Sequence, residues 1–172
     1  MKTSANKRVW VRVATLVCLL ATLTAPSFVY AASSAALATQ SFRSTLVELV
    51  NNDRISADVA PLVPSALLTQ AAQKKADDMA AQGYFAHYSP RGTSPWHWLT
   101  AVGYYYTHAG ENLAIHFDDP AALEAAWMSS PTHRANIVRG IYTEIGVGVA
   151  RGTYRGRPTN FIVQLLAAPA LI

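Results

Sequence analysis

His87, Glu111 and His133 are the residues whose types and surroundings could do chemistry. His87 lies in "YFAHYSPRGTSPW", in a loop between aromatics just past an expected helix end. Glu111 lies in "AGENLA", between a glycine and apolar residues, where a carboxylate needs a partner. His133 lies in "AWMSSPTHRANI", one turn inside a helix that Ser130 and Pro131 would start, with Trp127 and Ile137 as buried neighbours. Two imidazoles and one carboxylate in semi-apolar surroundings form a donor set for a divalent metal. They are equally the makings of a hydrogen-bonded polar cluster in the core. Residue chemistry alone leaves both open. No local motif decides, because the sequence has no HExxH, CxxC, EF-hand loop or GxSxG elbow. Any site is a constellation that folding must assemble.

The elements that would assemble it are helical first and β-rich late. From Phe42 an apolar stripe of Leu46, Leu49 and Val50 predicts a helix, interrupted by "APLVPSALL" with its two prolines. Ser65 is placed to cap "ALLTQAAQKKADDMAAQ", whose apolar face is Leu68, Ala71, Ala72, Ala76 and Met79, and Gly83 to end it. Ser94 with Pro95, Asp119 with Pro120, and Ser130 with Pro131 signal three further helix starts. "TEIGVGVA" and "NFIVQLL" read as two strands of an antiparallel hairpin joined by the turn-rich "RGTYRGRP", and "YYYTHAGENLAIH" supplies a third strand. Helices followed by a small antiparallel sheet make an α+β fold.

The chain has 172 residues, enough for one domain. Lys2, Lys7, Arg8 and Arg12 precede the apolar run "VATLVCLLATL" and the small-residue site at Val29 and Ala31. Residues 1–31 therefore read as a secretory signal peptide cleaved after Ala31, and 32–41 as a flexible leader. Of 14 Lys+Arg, those four lie before position 32, while all 10 Asp+Glu lie after it. The mature chain is thus balanced at 10 against 10, which argues against nucleic-acid binding. Cys18, the only cysteine, leaves with the signal, so core packing alone must hold an exported fold.

"FAHYSPRGTSPW", "AGENLA", "AWMSSPTHRANI" and "TEIGVGVA", in this order and at these separations, resemble the bacterial, SCP-like branch of the CAP superfamily (cysteine-rich secretory protein, antigen 5, pathogenesis-related protein 1). The resemblance covers residues 42–168 and implies a three-layer α–β–α sandwich around a small antiparallel sheet. It also implies a central cleft of two histidines and two glutamates. His87, Glu111 and His133 match three of these, while Ser130 stands where eukaryotic members carry the second glutamate. On this resemblance the cleft residues are His87, Glu111, Ser130 and His133. His87, His133 and Glu111 would be the ligands of a divalent metal, zinc before others, that folding does not require. Glu144 is expected at the surface or paired with Arg134. Trp96, Trp98 and Trp127 are expected in the core, Asn112 and Asn136 as ties between loops, and His97, His108 and His116 as exposed or capping residues.

Two functions fit. The first is an exported monomer, secreted or periplasmic, with no membrane span after signal cleavage. Its cleft binds a metal ion, small ligand, lipid or cell-envelope component without turnover. The second is a metal-assisted hydrolase or peptidase built on His87, Glu111 and His133 around a bound water.

Overall fold

The computed structural model describes residues 25–170, with side chains from Ser34 onward. Most of the expected signal peptide lies outside these residues. In chain order the elements are α1 (Ala25–Ser56), β1 (Val63–Pro64), α2 (Ala66–Gln82), α3 (His97–Ala101), β2 (Tyr106–Ile115), α4 (Pro120–Ser129), α5 (Pro131–Ile137), β3 (Glu144–Tyr154) and β4 (Arg157–Pro169). α1 is longer than its apolar stripe, because residues 32–41, expected as a flexible leader, continue the helix. The alanine-rich "ASSAALATQ" holds no glycine or proline, so nothing stops the helix from extending outward from its packed turns at Leu46 and Val50.

The sheet order is β1-β3-β4-β2. β3 and β4 form the expected antiparallel hairpin, and β2 pairs antiparallel with β4. The connection is tighter than "RGTYRGRP" suggests. Only Arg155 and Gly156 turn, at φ 50° and 78°, and both strands run right up to them. Two positive-φ residues match the right-handed twist of the strands they join. β1 was not expected: it is a two-residue parallel edge on β3, in which Val63 N–H and Ser65 N–H donate to Thr143 and Ile145 carbonyls. Pro64 sits between those donors, where no N–H is required.

β4 divides the interior into two cores by simple alternation. Phe161, Val163, Leu165 and Ala167 pack with Leu68, Ala72, Met79 and Leu99 of α2 and α3. Ile162 and Leu166 pack on the other face with Leu46, Val50, Leu123, Trp127 and Ile137 of α1, α4 and α5. Helices on both faces of the sheet make the three-layer sandwich. Gly146 and Gly148 let α2 lie directly on β3, since a Cβ at either would stand 2.2 Å from the backbone of Leu68 or Ala72. Trp127 is 2% exposed, and its indole N–H donates to the Leu113 carbonyl on the free edge of β2.

Candidate functional site

Glu111 lies on β2 and its side chain is 2% exposed, while the His87 side chain, from the loop after α2, is 56% exposed. His87 Nδ1 meets Glu111 Oε1 at 2.6 Å. That contact, above all, raises the His87 pKa from its ordinary value, against the opposing pull of burial. Glu111 Oε2 is buried and has no hydrogen-bond partner. His87 Nε2 makes no hydrogen bond among the described residues.

The loop carrying His87 is held from beneath by a residue that the sequence reading passed over. Lys75 is wholly buried on α2 and donates to the carbonyls of Ala86 and His87, at 3.0 and 2.8 Å, and to the Tyr84 hydroxyl. Tyr84 in turn donates to Asp78 Oδ2 at 2.6 Å. Burial lowers the Lys75 pKa, and the charges of Glu111 and Asp78 oppose that shift. The signal was present in the spacing: Leu68, Ala72, Lys75 and Met79 share one buried helix face.

On the other side of the β2 edge, His133 Nδ1 meets Ser130 Oγ at 2.8 Å. Burial lowers the His133 pKa first, and the charge of His87 lowers it further, so the imidazoles sense each other. α5, which carries His133, is anchored by a second buried cation. Arg54 donates to the carbonyls of Ala60, Ile137, Arg139 and Tyr142, fixing the helix end and the turn after it. Its position four residues past Val50 on the stripe of α1 marked it as inward-facing.

The two pairs are joined by amides. Asn112 donates to the His133 carbonyl and to Gln164 Oε1, while Asn136 donates to the Glu111 carbonyl and to Asn112 Oδ1. Asn112 and Asn136, expected to tie loops, instead tie α5 to the sheet, since all their partners lie on α5, β2 and β4. Glu144 departs from expectation: it accepts from the Tyr104 hydroxyl at 2.9 Å rather than pairing with Arg134. Trp96 and Trp98 are half-buried against the α2 core, and His97, His108 and His116 are exposed.

The fit to a metal is incomplete. His87 Nδ1 and Glu111 Oε1 are spent on each other, which leaves His87 Nε2 as the imidazole's remaining ligand atom and Glu111 Oε2 buried without a partner. Among the described residues, no group of three or more His, Cys, Asp or Glu side chains is placed to hold a metal ion. The expected set of His87, Glu111 and His133 is therefore not gathered into one coordination shell. The Ser130–His133 contact has the length of a nucleophile–base pair, but among the described residues no carboxylate bonds to His133 to orient it. As an i, i+3 contact at a helix start, it acts as a local polar tie.

A profile of the cysteine-rich secretory protein family (CAP) matches residues 47–166. The YkwD protein of Bacillus subtilis is 36% identical over 116 residues, covering 67% of this chain and 45% of that protein. The membrane protein YlbC of the same organism is 33% identical over 118 residues, covering 68% of this chain and 33% of that protein. The chain thus spans less than half the length of these curated relatives. An extracellular protein of Bacillus anthracis containing an SCP domain superposes with a TM-score of 0.64 at 26% identity, over 75% of this chain and 41% of that one. An outer surface protein of Borrelia burgdorferi has the same TM-score at 18% identity, over 74% of this chain and 92% of that one, a likeness of fold alone. Four motifs in order, the sandwich that positions them and the family match agree: the chain belongs to the CAP family of cysteine-rich secretory proteins.

Proposed function

We propose that this CAP domain works outside the cytoplasm as a binding module, taking a small ligand at His87 and Glu111 without turning it over. The observation that carries this is the orphaned Glu111 Oε2, a buried carboxylate oxygen with no donor of its own. Leaving such an atom unsatisfied costs about 1–3 kcal/mol, and more where it is charged. A ligand that supplies an ammonium, N–H, O–H or a hydrated cation recovers that cost. Divalent zinc is a simpler probe of the pair: His87 Nε2 would be its ligand, with Glu111 holding the imidazole through Nδ1, and water would supply the remaining donors. Lipids and cell-envelope components qualify only through a donor group of this kind.

Export is supported by the basic and apolar first segment, and by structural relatives described as extracellular or outer-surface proteins. Among the described residues no helix is long and apolar enough to cross a membrane. The metal-assisted hydrolase reading has less support, because among the described residues His87, Glu111 and His133 are not gathered into one shell that could hold a metal-bound water. Metal analysis and native mass spectrometry of the natively purified protein test the proposal. Wild type should retain a bound species that Glu111→Ala loses. Equal loads in both proteins, or a wild type that takes up nothing, would contradict it.

A further inference from the structure

At the far end of β2, about 16 Å from Glu111 at the rise of a strand, a cavity of about 360 Å³ opens between the end of β2 and the β3–β4 hairpin. His116, Asp118, Arg151, Thr159 and Asn160 line it. An adjoining cavity of about 350 Å³ against α1 shares Asp118, Arg151 and Asn160. The polar groups here are fixed in advance. His116 adopts φ 68°, a conformation that residues other than glycine seldom take. Buried Thr159 clamps it, accepting from the His116 N–H at 3.1 Å and meeting Nδ1 at 2.6 Å. Asn160 spends its side-chain amide on the Phe117 carbonyl and on Asp118 Oδ1, the latter at 2.6 Å.

Arg151 stands directly across from Asn160 in the β3–β4 register, so both side chains project from the same face of the sheet. Asp118 and Arg151 therefore flank one asparagine and border the same two cavities. They nevertheless form no ion pair, and Arg151 has no hydrogen-bond partner among the described residues. A carboxylate held by Asn160 and an exposed, unpaired guanidinium, bordering one open cavity, match a ligand with opposite charges at its two ends. We infer that this hairpin-end cavity is a second binding site, distinct from the His87–Glu111 cleft, for a small zwitterion such as a free amino acid or short peptide. Its carboxylate would lie on Arg151 and its ammonium on Asp118. His116 Nε2 would be available to the groups between them.

Alanyl-alanine, its N-acetyl form and its C-terminal amide are the probes, titrated into the full chain and read by backbone amide NMR. The zwitterion should give saturable shifts at His116, Thr159 and Asn160. Blocking either end, or substituting Arg151→Gln or Asp118→Asn, should weaken binding by about tenfold or more, the loss of one charge-assisted contact. Asp118→Asn should make no further difference to the N-acetyl form, whose ammonium contact is already gone. His87→Ala should leave these shifts unchanged. No saturable shift with the zwitterion, equal binding of the capped forms, or shifts confined to the His87 loop would overturn the assignment.

Discussion

Glu111 sets the charge state of His87. Its contact with His87 raises that imidazole's pKa, while burial lowers the pKa of His133. The two histidines should therefore titrate on opposite sides of the ordinary value of about 6.5. Between the two pKa values His87 is an imidazolium and His133 is neutral. The stability contributed by His87 is fully present below about pH 6.5 and is lost as pH rises through its folded value. His133 has the opposite sign: its contribution is present above about pH 6.5 and is lost as pH falls toward its folded value. Ring NMR of the histidines should show this split. In Glu111→Gln the His87 midpoint should fall toward about 6.5, while that of His133 moves far less. Coincident midpoints in wild type would show that the His87–Glu111 contact does not form in solution.

Elements place these residues through contacts that differ in how plainly the sequence announces them. Proline-led helix starts are local signals, and Asp119 caps α4 as its position suggests, accepting from the amides of Ala121 and Ala122. Ser65 and Ser130 occupy cap positions without a capping hydrogen bond; Ser130 turns its hydroxyl to His133 instead. Gly146 and Gly148 read as small partners in an alternating strand, whereas their actual role is to admit the backbone of α2. That requirement comes from a helix some eighty residues earlier and leaves no local trace. Gly148→Ala should destabilise by about 3 kcal/mol or more, at or beyond the usual cost of overpacking, because the obstacle is backbone rather than a flexible side chain. Trp127→Ala, which removes the main apolar anchor of α4 and uncovers the Leu113 carbonyl, should cost about 3–5 kcal/mol. Lys75→Met keeps the volume but strips the donors from the Ala86 and His87 carbonyls, at about 2–4 kcal/mol. It should also speed hydrogen exchange in the His87 loop. Urea midpoints equal to wild type would refute each assignment in turn.

At the scale of the molecule, two apolar cores on either side of one sheet hold the domain, and the polar interior sits at their margins. The sandwich was legible because its helices and strands carry clean periodicities and its motifs keep their order. The buried cations Lys75 and Arg54 were less so. Each occupies an apolar stripe, but its carbonyl partners lie in loops that only the tertiary fold brings near. Glu124 is a further polar residue that the sequence reading missed. It is 3% exposed on α4, and neither carboxylate oxygen receives a hydrogen bond from a neighbouring N–H or O–H group. Burial first, then the charge of Asp53 and a carboxyl–carboxylate hydrogen bond with it, raise its pKa to about 8. The folded state then keeps a proton that the unfolded chain gives up, so stability should decline as pH rises from about 4.5 to about 8. Glu124→Gln should flatten that slope by removing its Glu124 share, leaving that of the histidines, and raise the denaturation midpoint at about pH 9 relative to wild type. A midpoint of wild type that climbs over this range, or a variant that keeps the slope, would show that Glu124 is ionised and partnered in solution.

The central claim is that His87 and Glu111 form a ready-made acceptor for a cation or hydrogen-bond donor, and zinc is the simplest probe of it. Zinc titrations of wild type and Glu111→Ala, followed by histidine ring NMR at a pH above the His87 midpoint, where its imidazole is neutral, test it most directly. The account predicts that the His87 ring responds first and that Glu111→Ala weakens binding by about tenfold or more, as loss of a carboxylate beside a ligating histidine does. Equal affinity in the two proteins, or a response confined to exposed His97, His108 and His116, would contradict it.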